Sequence, residues 1–386
     1  MEDWRSGGFG LYLHWPFCQS KCPYCDFNSH VAAHVDQKRW EIAYLSEIAR
    51  AGSETPGRVL ETVYFGGGTP SLMEPELVDA ILRQVRATWP MVNDPEITLE
   101  ANPTSVEAGR FRGFREAGVT RVSMGFQALD DRHLQRLGRL HTVADAKRAL
   151  KVAASVFDRV NFDLIYARQD QDLAAWRGEL TEALAMAEGH LSLYQLTIED
   201  GTAFGDRFAA GKLRGLPEED LAADLFQLTQ EMCEAAGYGA YEVSNHARPG
   251  QDSRHNLIYW RGGDYLGIGP GAHGRLTLNG IRHATEAHRA PGAWMAAVED
   301  RSSGELPRVA LSPTDHATEY LLMSLRLAEG LDLRRFEAIA GRQLNATAID
   351  RLAELRLVQL QGGYLRATAA GRMVLNGVLR DLSADL

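Results

Sequence analysis

Cys18, Cys22 and Cys25 stand as C-x3-C-x2-C within Leu11-Tyr-Leu-His-Trp-Pro-Phe-Cys-Gln-Ser-Lys-Cys-Pro-Tyr-Cys-Asp-Phe27. The remaining cysteine, Cys233, lies far away in a helical period and reads as a small buried apolar residue. Thiolates are the preferred ligands of iron–sulfur clusters, and the cubane form has four irons. Three thiolates therefore leave one iron open to a ligand that is not protein, and an open metal position invites chemistry or a cofactor. Structural zinc is the competing reading. It needs four closed ligands, and His14 or His30 could supply the fourth, but no second Cys or His pair follows at finger or ribbon spacing. The pattern favours a cluster.

Other residues could serve a bound group. Gly66-Gly-Gly-Thr-Pro70 directly follows an apolar run. Three consecutive glycines exceed what a turn needs; they admit close backbone approach and expose N–H groups to an anion. Glu100, Gln127 and Asp163 each lie at or just after the end of an expected strand. Singly, each reads as a satisfied polar group. At successive strand ends of one sheet they converge on one cleft. Arg139 suits a carboxylate, which guanidinium binds bidentately.

These segments resemble the radical S-adenosylmethionine (SAM) superfamily. There the amino and carboxylate groups of SAM chelate the open iron, and the reduced cluster can cleave SAM to a 5′-deoxyadenosyl radical. Tyr12 and Tyr24 also match, and Gly66–Pro70 is similar to the family's glycine motif, which contacts the SAM amino group. The resemblance implies a 4Fe–4S cluster on the three cysteines. It also implies SAM contacts at Tyr12, Tyr24, Gly67, Gly68, Thr69, Glu100, Gln127, Arg139 and Asp163, with Asp163 accepting from ribose hydroxyls. One departure is visible. The family usually continues Asp-Leu-Ile-Tyr with Gly-Leu-Pro, where this chain has Ala167-Arg-Gln-Asp170.

His255-Asn-Leu-Ile-Tyr-Trp260 sets a histidine beside two aromatics. A packed histidine with satisfied nitrogens is the commoner reading, but neutral imidazole also ligates iron, and Tyr and Trp can stack on a flat macrocycle. The H-N-x-x-Y-W pattern is similar to the heme-associated motif of HemW-type heme chaperones, which implies heme contacts at His255, Tyr259 and Trp260. Gly269-Pro-Gly-Ala-His-Gly274 nominally fits G-x-G-x-x-G, yet Arg275-Leu-Thr-Leu278 reads as extended, so a structural loop is expected, with His273 and His283 unassigned.

Over nearly its whole length the chain resembles the oxygen-independent coproporphyrinogen III oxidase family. Two features point to its heme-chaperone branch. Phe27 stands where the oxidases carry a further cysteine, and the first strand is expected near residue 10, where the oxidases have a long N-terminal extension. The implied function is a carrier that binds the cluster, SAM and heme and passes heme to an acceptor hemoprotein, expected to be respiratory and membrane-bound. The alternative is an oxidase that decarboxylates coproporphyrinogen.

These residues need a frame. Apolar runs at Gly10–His14, Thr62–Phe65, Glu96–Glu100, Arg121–Met124, Arg159–Ile165 and His190–Thr197 alternate with helical periods, as in βα units with a parallel sheet. Val78, Ile81, Leu82 and Val85 share one helix face; Leu221, Leu225, Leu228 and Met232 share another. Thr104–Glu107 reads as a capping box, and Gly118 and Gly237 read as helix stops. Six units suit the incomplete (β/α)6 barrel typical of the radical SAM family; an open doubly wound sheet is the other possibility. Expected domains are a core over 1–240, a Gly- and aromatic-rich connecting region over 241–310, and a winged-helix-like domain over 311–386. The last has nine arginines against nine acidic residues, and the 386-residue chain carries a net charge of −10, so no nucleic acid is expected as partner. No apolar run spans a bilayer, no secretory signal opens the chain, and the few cysteines suit a reducing cytoplasm.

Overall fold

The computed structural model describes residues 3–105 and 108–386. All six expected strands form: β1 (Phe9–Trp15), β2 (Leu60–Gly67), β3 (Met91–Ala101), β4 (Arg121–Gln127), β5 (Arg159–Tyr166) and β6 (His190–Gln195). They pair in chain order, each parallel to the next. The expected capping box at Thr104–Glu107 runs into Val106 and Glu107, outside the described residues.

Side chains alternate across a strand, and here the two faces differ in chemistry. One face carries Leu11, Leu13, Val63, Phe65, Ile97, Leu99, Val122, Met124, Phe162, Leu164, Leu191 and Leu193, all buried in one apolar cluster with the flanking helices. The helix Pro75–Thr88 contributes Leu77, Val78, Ile81, Leu82 and Val85 to it. Each such side chain contributes roughly 1.5–3 kcal/mol by leaving water. The other face is polar: Tyr64, Glu100, Arg121, Ser123, Asn161, Asp163, Ser192 and Tyr194 all line one cavity. A curved sheet thus turns its apolar side to its helices and its polar side to a lumen.

Residues 241–310 build more of the same sheet. Beyond β6 lie β7 (Gly239–Ala240) and β8 (Asn245–Ala247); beyond β1 lie β9 (Asp264–Ile268), β10 (His273–Leu278), β11 (Ile281–Glu286) and β12 (Val309–Ala310). The order β12-β11-β10-β9-β1-β2-β3-β4-β5-β6-β8-β7 is an open sheet of twelve strands, in which β9 adds a seventh parallel strand beside β1 and antiparallel strands form the margins beyond. The short helix Arg254–Trp260 packs against β2, β1 and β9. Its first turn is fixed by Glu96, which accepts from the His255 N–H at 3.0 Å and pairs with Arg159 at 2.7 Å. A carboxylate is well placed at a helix N-terminus.

The C-terminal unit has its own apolar core, around Phe336, Leu321, Leu352, Leu365 and Leu379. Its helices Pro313–Ser324, Leu333–Ala340 and Ala346–Glu354 precede a hairpin, β14 (Val358–Gln361) and β15 (Tyr364–Ala367), that also pairs with β13 (Leu331–Asp332). Gly362 and Gly363 turn the hairpin with φ of +62° and +87°. Arg335 ties this unit to the chain start by a two-pronged pair with Asp3 at 2.6 and 2.8 Å. Among the described residues no helix is long and apolar enough to cross a membrane.

Candidate functional site: three thiols over a polar cavity

A cavity of about 540 Å³ opens at the C-terminal ends of β2–β6, within the usual range of small-ligand pockets. Cys18, Cys22 and Cys25 lie in its wall, together with Tyr24, Gly67, Gly68, Thr69, Glu100, Gln127, Arg139 and Asp163. Thr69 Oγ1 donates to Cys18 Sγ, and Arg139 Nη1 donates to Cys22 Sγ, both at 3.4 Å. Both are donors that a ligating thiolate can accept from, although at Cys18 burial outweighs the Thr69 donor and raises the thiol. Among the described residues no three His, Cys, Asp or Glu side chains are grouped to hold a single metal ion. A four-iron cubane spreads its ligands more widely than one ion does, and the donor set fits it. Cys233 is buried in the helical layer, where burial pushes its thiol up to about 12.

The glycines play a different part from the expected anion cradle. The N–H groups are already used: Gly67 donates to Glu100 Oε2 at 3.2 Å, Gly68 to the Trp15 carbonyl at 2.7 Å, and Thr69 to the Phe17 carbonyl at 2.9 Å. Gly67 has φ +110°, and a Cβ on it would meet the His14 ring at 2.6 Å. A Cβ on Gly68 would meet the Phe17 carbonyl oxygen at 2.7 Å. The glycines let the cysteine loop lie directly on the end of β2. With its donors spent, the segment can offer a ligand acceptors, which suits an ammonium group rather than an anion. Replacing Gly68 would displace the cysteine loop itself.

Gln127 reaches the cavity through local strain. The pairing of β4 with β5 shifts register between Gly125 and Gln127, and Gln127 takes φ +72°, a bulge that re-aims the side chain at the strand end. Gly125 leaves room for it, since a Cβ there would meet Gln127 Nε2 at 2.8 Å. Arg139 Nη2 donates to the Gly125 carbonyl at 2.8 Å, while its buried Nε has no partner among the described residues. The departure at Ala167 is accommodated at φ +57°, a conformation glycine adopts without cost. The loop is held instead by buried Arg168, which pairs with Glu179 and donates to the Gln127 carbonyl at 3.2 Å.

Two half-buried carboxylates face the cavity. Glu100 accepts from Tyr64 OH at 2.8 Å and from Gly67 N–H, yet burial raises it to about 7, with Asp163 adding repulsion. Asp163 accepts from Asn161 Nδ2 at 3.0 Å and Ser123 Oγ at 3.4 Å, and burial raises it to about 6. Among the described residues neither has a cationic partner in an ion pair, so both can accept from ligand hydroxyls or cationic groups.

Four expected residues lie elsewhere. Tyr12 stands behind the wall, stacked on Tyr64 with centroids 6.2 Å apart. Its OH bonds His14 Nδ1 at 2.9 Å, and His14 Nε2 bonds the Asn28 carbonyl at 2.9 Å, so Tyr12 supports the cysteine loop rather than touching the cavity. His255, Tyr259 and Trp260 do not line it either. His255 is buried in the lumen floor, where its Nδ1 bonds Thr62 Oγ1 and its Nε2 bonds Tyr259 OH, both at 2.6 Å, and its ring stacks on Tyr64 at 4.9 Å. Burial lowers its pKa to about 3, so the ring is neutral but both nitrogens are engaged. An iron could reach it only by displacing Thr62 or Tyr259. Trp260 faces the C-terminal unit, with the Arg326 guanidinium 5.6 Å over its ring. The Gly269–Gly274 loop leads into β10, not a helix, and Asn28 Nδ2 clamps it by donating to the Pro270 carbonyl at 2.9 Å.

Comparison with known proteins agrees with this geometry. The radical SAM superfamily profile matches residues 12–174, and the HemN C-terminal domain matches residues 311–374. The Escherichia coli protein named heme chaperone HemW is 38% identical over 97% of this chain and 98% of its own length. The chain is a radical SAM protein of the HemN and HemW family. A Mycobacterium tuberculosis HemW heme chaperone is 37% identical over 97% of this chain and 94% of its own. Mitochondrial radical S-adenosyl methionine domain-containing protein 1 of Bos taurus is 37% identical, covering 97% and 87%. Among solved structures, Escherichia coli coproporphyrinogen III oxidase (HemN) shares the fold with a TM-score of 0.82 at 22% identity, covering 98% of this chain and 91% of that one.

The cavity of this radical SAM protein also includes residues that motif reading passed over: Tyr64, Asn102, Arg121, Ser123, Asn161, Ser192, Tyr194 and Asn256. A period-of-two reading from Glu100, Asp163 and the strand ends would have reached Tyr64, Arg121, Ser123, Asn161 and Ser192. Asn256 arrives from a distant helix, and no local signal marks it.

Two outcomes are expected in the ligand-free protein. Asp163 keeps its proton in the fold up to about pH 6, whereas the unfolded carboxyl ionises near 3.8, so its contribution to stability falls as pH rises across that window and stays low above it. Asp163→Asn should therefore be more stable than wild type at pH 7.5 by roughly 1–3 kcal/mol, an advantage that vanishes below about pH 4. Thermal unfolding at several pH values measures this; a pH-independent difference contradicts it. His255→Ala should lose roughly 2–4 kcal/mol, because it empties a packed site and strands two partners. Denaturant unfolding measures that loss, and a neutral effect would mean the ring is not held as described.

Proposed function

We propose that this protein is a heme chaperone that holds a 4Fe–4S cluster on Cys18, Cys22 and Cys25, binds SAM across the cavity above β2–β5, and passes heme to an acceptor hemoprotein. The observation that carries the reading is the end-to-end similarity to a HemW heme chaperone at 38% identity. Phe27, 61% exposed beside the third thiol, supports the chaperone branch, since the resemblance places a further cysteine there in the oxidases. The fold shared with HemN keeps the oxidase as the second reading.

The protein's own groups divide the work. The three thiols hold the cluster, with Thr69 and Arg139 donating to sulfur. A cluster with SAM bound would supply one-electron cleavage chemistry at the cavity mouth. Arg139, whose guanidinium lines the cavity beside Cys22, is assigned to the SAM carboxylate, and the acceptor-rich segment 67–69 to its amino group. Glu100 and Asp163 accept from ribose hydroxyls, while Gln127, fixed by the bulge and by Arg168, orients the nucleoside end. Tyr24 closes the wall, packed on Phe204 at 6.4 Å. Heme contacts are assigned to His255, Tyr259 and Trp260 by resemblance alone, and binding there requires the helix Arg254–Trp260 to release His255.

The test uses protein reconstituted anaerobically with iron and sulfide. Expected are about four irons per chain, loss of the cluster in Cys22→Ala, stoichiometric heme binding seen as a Soret band, and movement of that heme to the apo form of a b-type hemoprotein. With SAM and a reductant, no decarboxylation of coproporphyrinogen is expected. Sustained protoporphyrinogen formation would falsify the chaperone reading.

A further inference from the structure

Arg121 is the one large cation of the lumen that the proposed function leaves unused. It opens β4, directly beside Thr98 of β3 and Arg159 of β5. Arg139 is attached at Gly125, four residues further along the same strand, or about 13 Å at the usual rise. Arg121 is only 3% exposed, yet it lines the cavity. Among the described residues its guanidinium has no hydrogen bond and no ion pair. That is unusual, because buried arginine is almost always paired.

The nearby acids do not account for it. Glu96, Glu100 and Asp163 all feel its charge. Glu96 is already paired with Arg159 and capped by the His255 N–H. Glu100 is bound by Tyr64 and Gly67, and Asp163 by Asn161 and Ser123. None of the three pairs with Arg121. Around it the cavity offers the neutral side chains of Ser123, Asn161, Ser192 and Asn256, which can share a ligand's oxygens.

We propose that Arg121 is the anchor of an anion subsite in the inner part of the cavity, built for a carboxylate of the second ligand. The subsite rests on the tetrapyrrole reading of the function but not on its chaperone form, because propionate side chains belong to heme and to coproporphyrinogen alike. The SAM carboxylate is the competing occupant. It is drawn instead to the Arg139 guanidinium, whose Nη1 lies 3.4 Å from Cys22 Sγ at the cavity wall. A carboxylate at Arg121 would leave the body of its ligand in the cavity that Tyr194, Leu196 and Phe27 also line, so the subsite stands apart from the His255, Tyr259 and Trp260 contacts assigned by resemblance. The cavity thus joins a cation at its inner part to aromatic and apolar side chains set among polar ones, a lining that suits a large ring bearing carboxylates.

The experiment titrates the cluster- and SAM-loaded protein with heme, heme dimethyl ester, coproporphyrin III and its tetramethyl ester. It compares wild type, Arg121→Met and Arg121→Lys, with SAM affinity and thermal unfolding measured alongside. Wild type should bind a free acid at least about ten-fold more tightly than its ester, as a charge-assisted pair predicts. Arg121→Met should lose that preference, Arg121→Lys should keep part of it, and SAM affinity should stay unchanged. Equal binding of acid and ester by wild type overturns the subsite, as does an acid preference that persists in Arg121→Met. A loss of SAM rather than porphyrin affinity also overturns it, by placing the SAM carboxylate there. Should Arg121→Met unfold, Arg121→Lys decides, since an unaltered preference and affinity in a shortened, single-headed cation contradicts a guanidinium anchor. An Arg121-dependent preference for coproporphyrin without heme binding supports the subsite while rejecting the chaperone reading. Binding of neither porphyrin rejects both.

Discussion

The cysteine loop hangs from two backbone hydrogen bonds, Gly68 N–H to the Trp15 carbonyl and Thr69 N–H to the Phe17 carbonyl. Nearly every feature of the site follows from that contact. It requires glycine at 68, because any Cβ would collide with the Phe17 backbone, and glycine at 67, where φ is positive and the His14 ring lies against the chain. It sets Thr69 beside Cys18. The far end of the loop is secured independently: His14, oriented by Tyr12, holds the Asn28 carbonyl, and Asn28 in turn grips Pro270 and Arg289. Three thiols are thus positioned by backbone and second-rank side chains, leaving the sulfur atoms facing the cavity.

Below the thiols the sheet encloses polar groups at a cost to stability. A buried carboxylate without a cation is expensive, and Glu100 and Asp163 respond by holding their protons to about 7 and 6. The cost is partly offset where no ligand is needed: Glu96 is paired with Arg159 and set at the start of the helix Arg254–Trp260, which closes the lumen. The Arg121 guanidinium, by contrast, reaches the cavity wall without an ion pair among the described residues. A buried cation left in that state at a cavity is a mark of a binding site.

The C-terminal unit stands on the same sheet through charged contacts. Arg261 pairs with Glu329 at 2.7 Å, and Arg275 with Glu319 at 2.8 Å. Both arginines come from the region between core and C-terminal unit, whose strands continue the central sheet on either side. The HNLIYW helix lies at this junction. Its first half is buried in the lumen and Trp260 points to the C-terminal unit, so a change at one end would be felt at the other.

Local chemistry was legible in the residues themselves. The three clustered cysteines, the six apolar runs and the Gly118 and Gly237 stops depend on spacing, period and backbone freedom, which are properties of short segments. The convergence of Glu100, Gln127, Arg139 and Asp163 was legible too, because parallel βα units bring successive strand ends together. Tertiary structure decided what spacing cannot. It assigned the Gly67, Gly68 and Thr69 N–H groups to the protein itself, moved Tyr12 behind the wall, and engaged both nitrogens of His255 with Thr62, 193 residues earlier, and with Tyr259. It also left Arg121 unpaired among three acids that had found other partners. Whether a polar group is satisfied depends on neighbours distant in the chain, and that is the property by which a binding residue differs from a packed one.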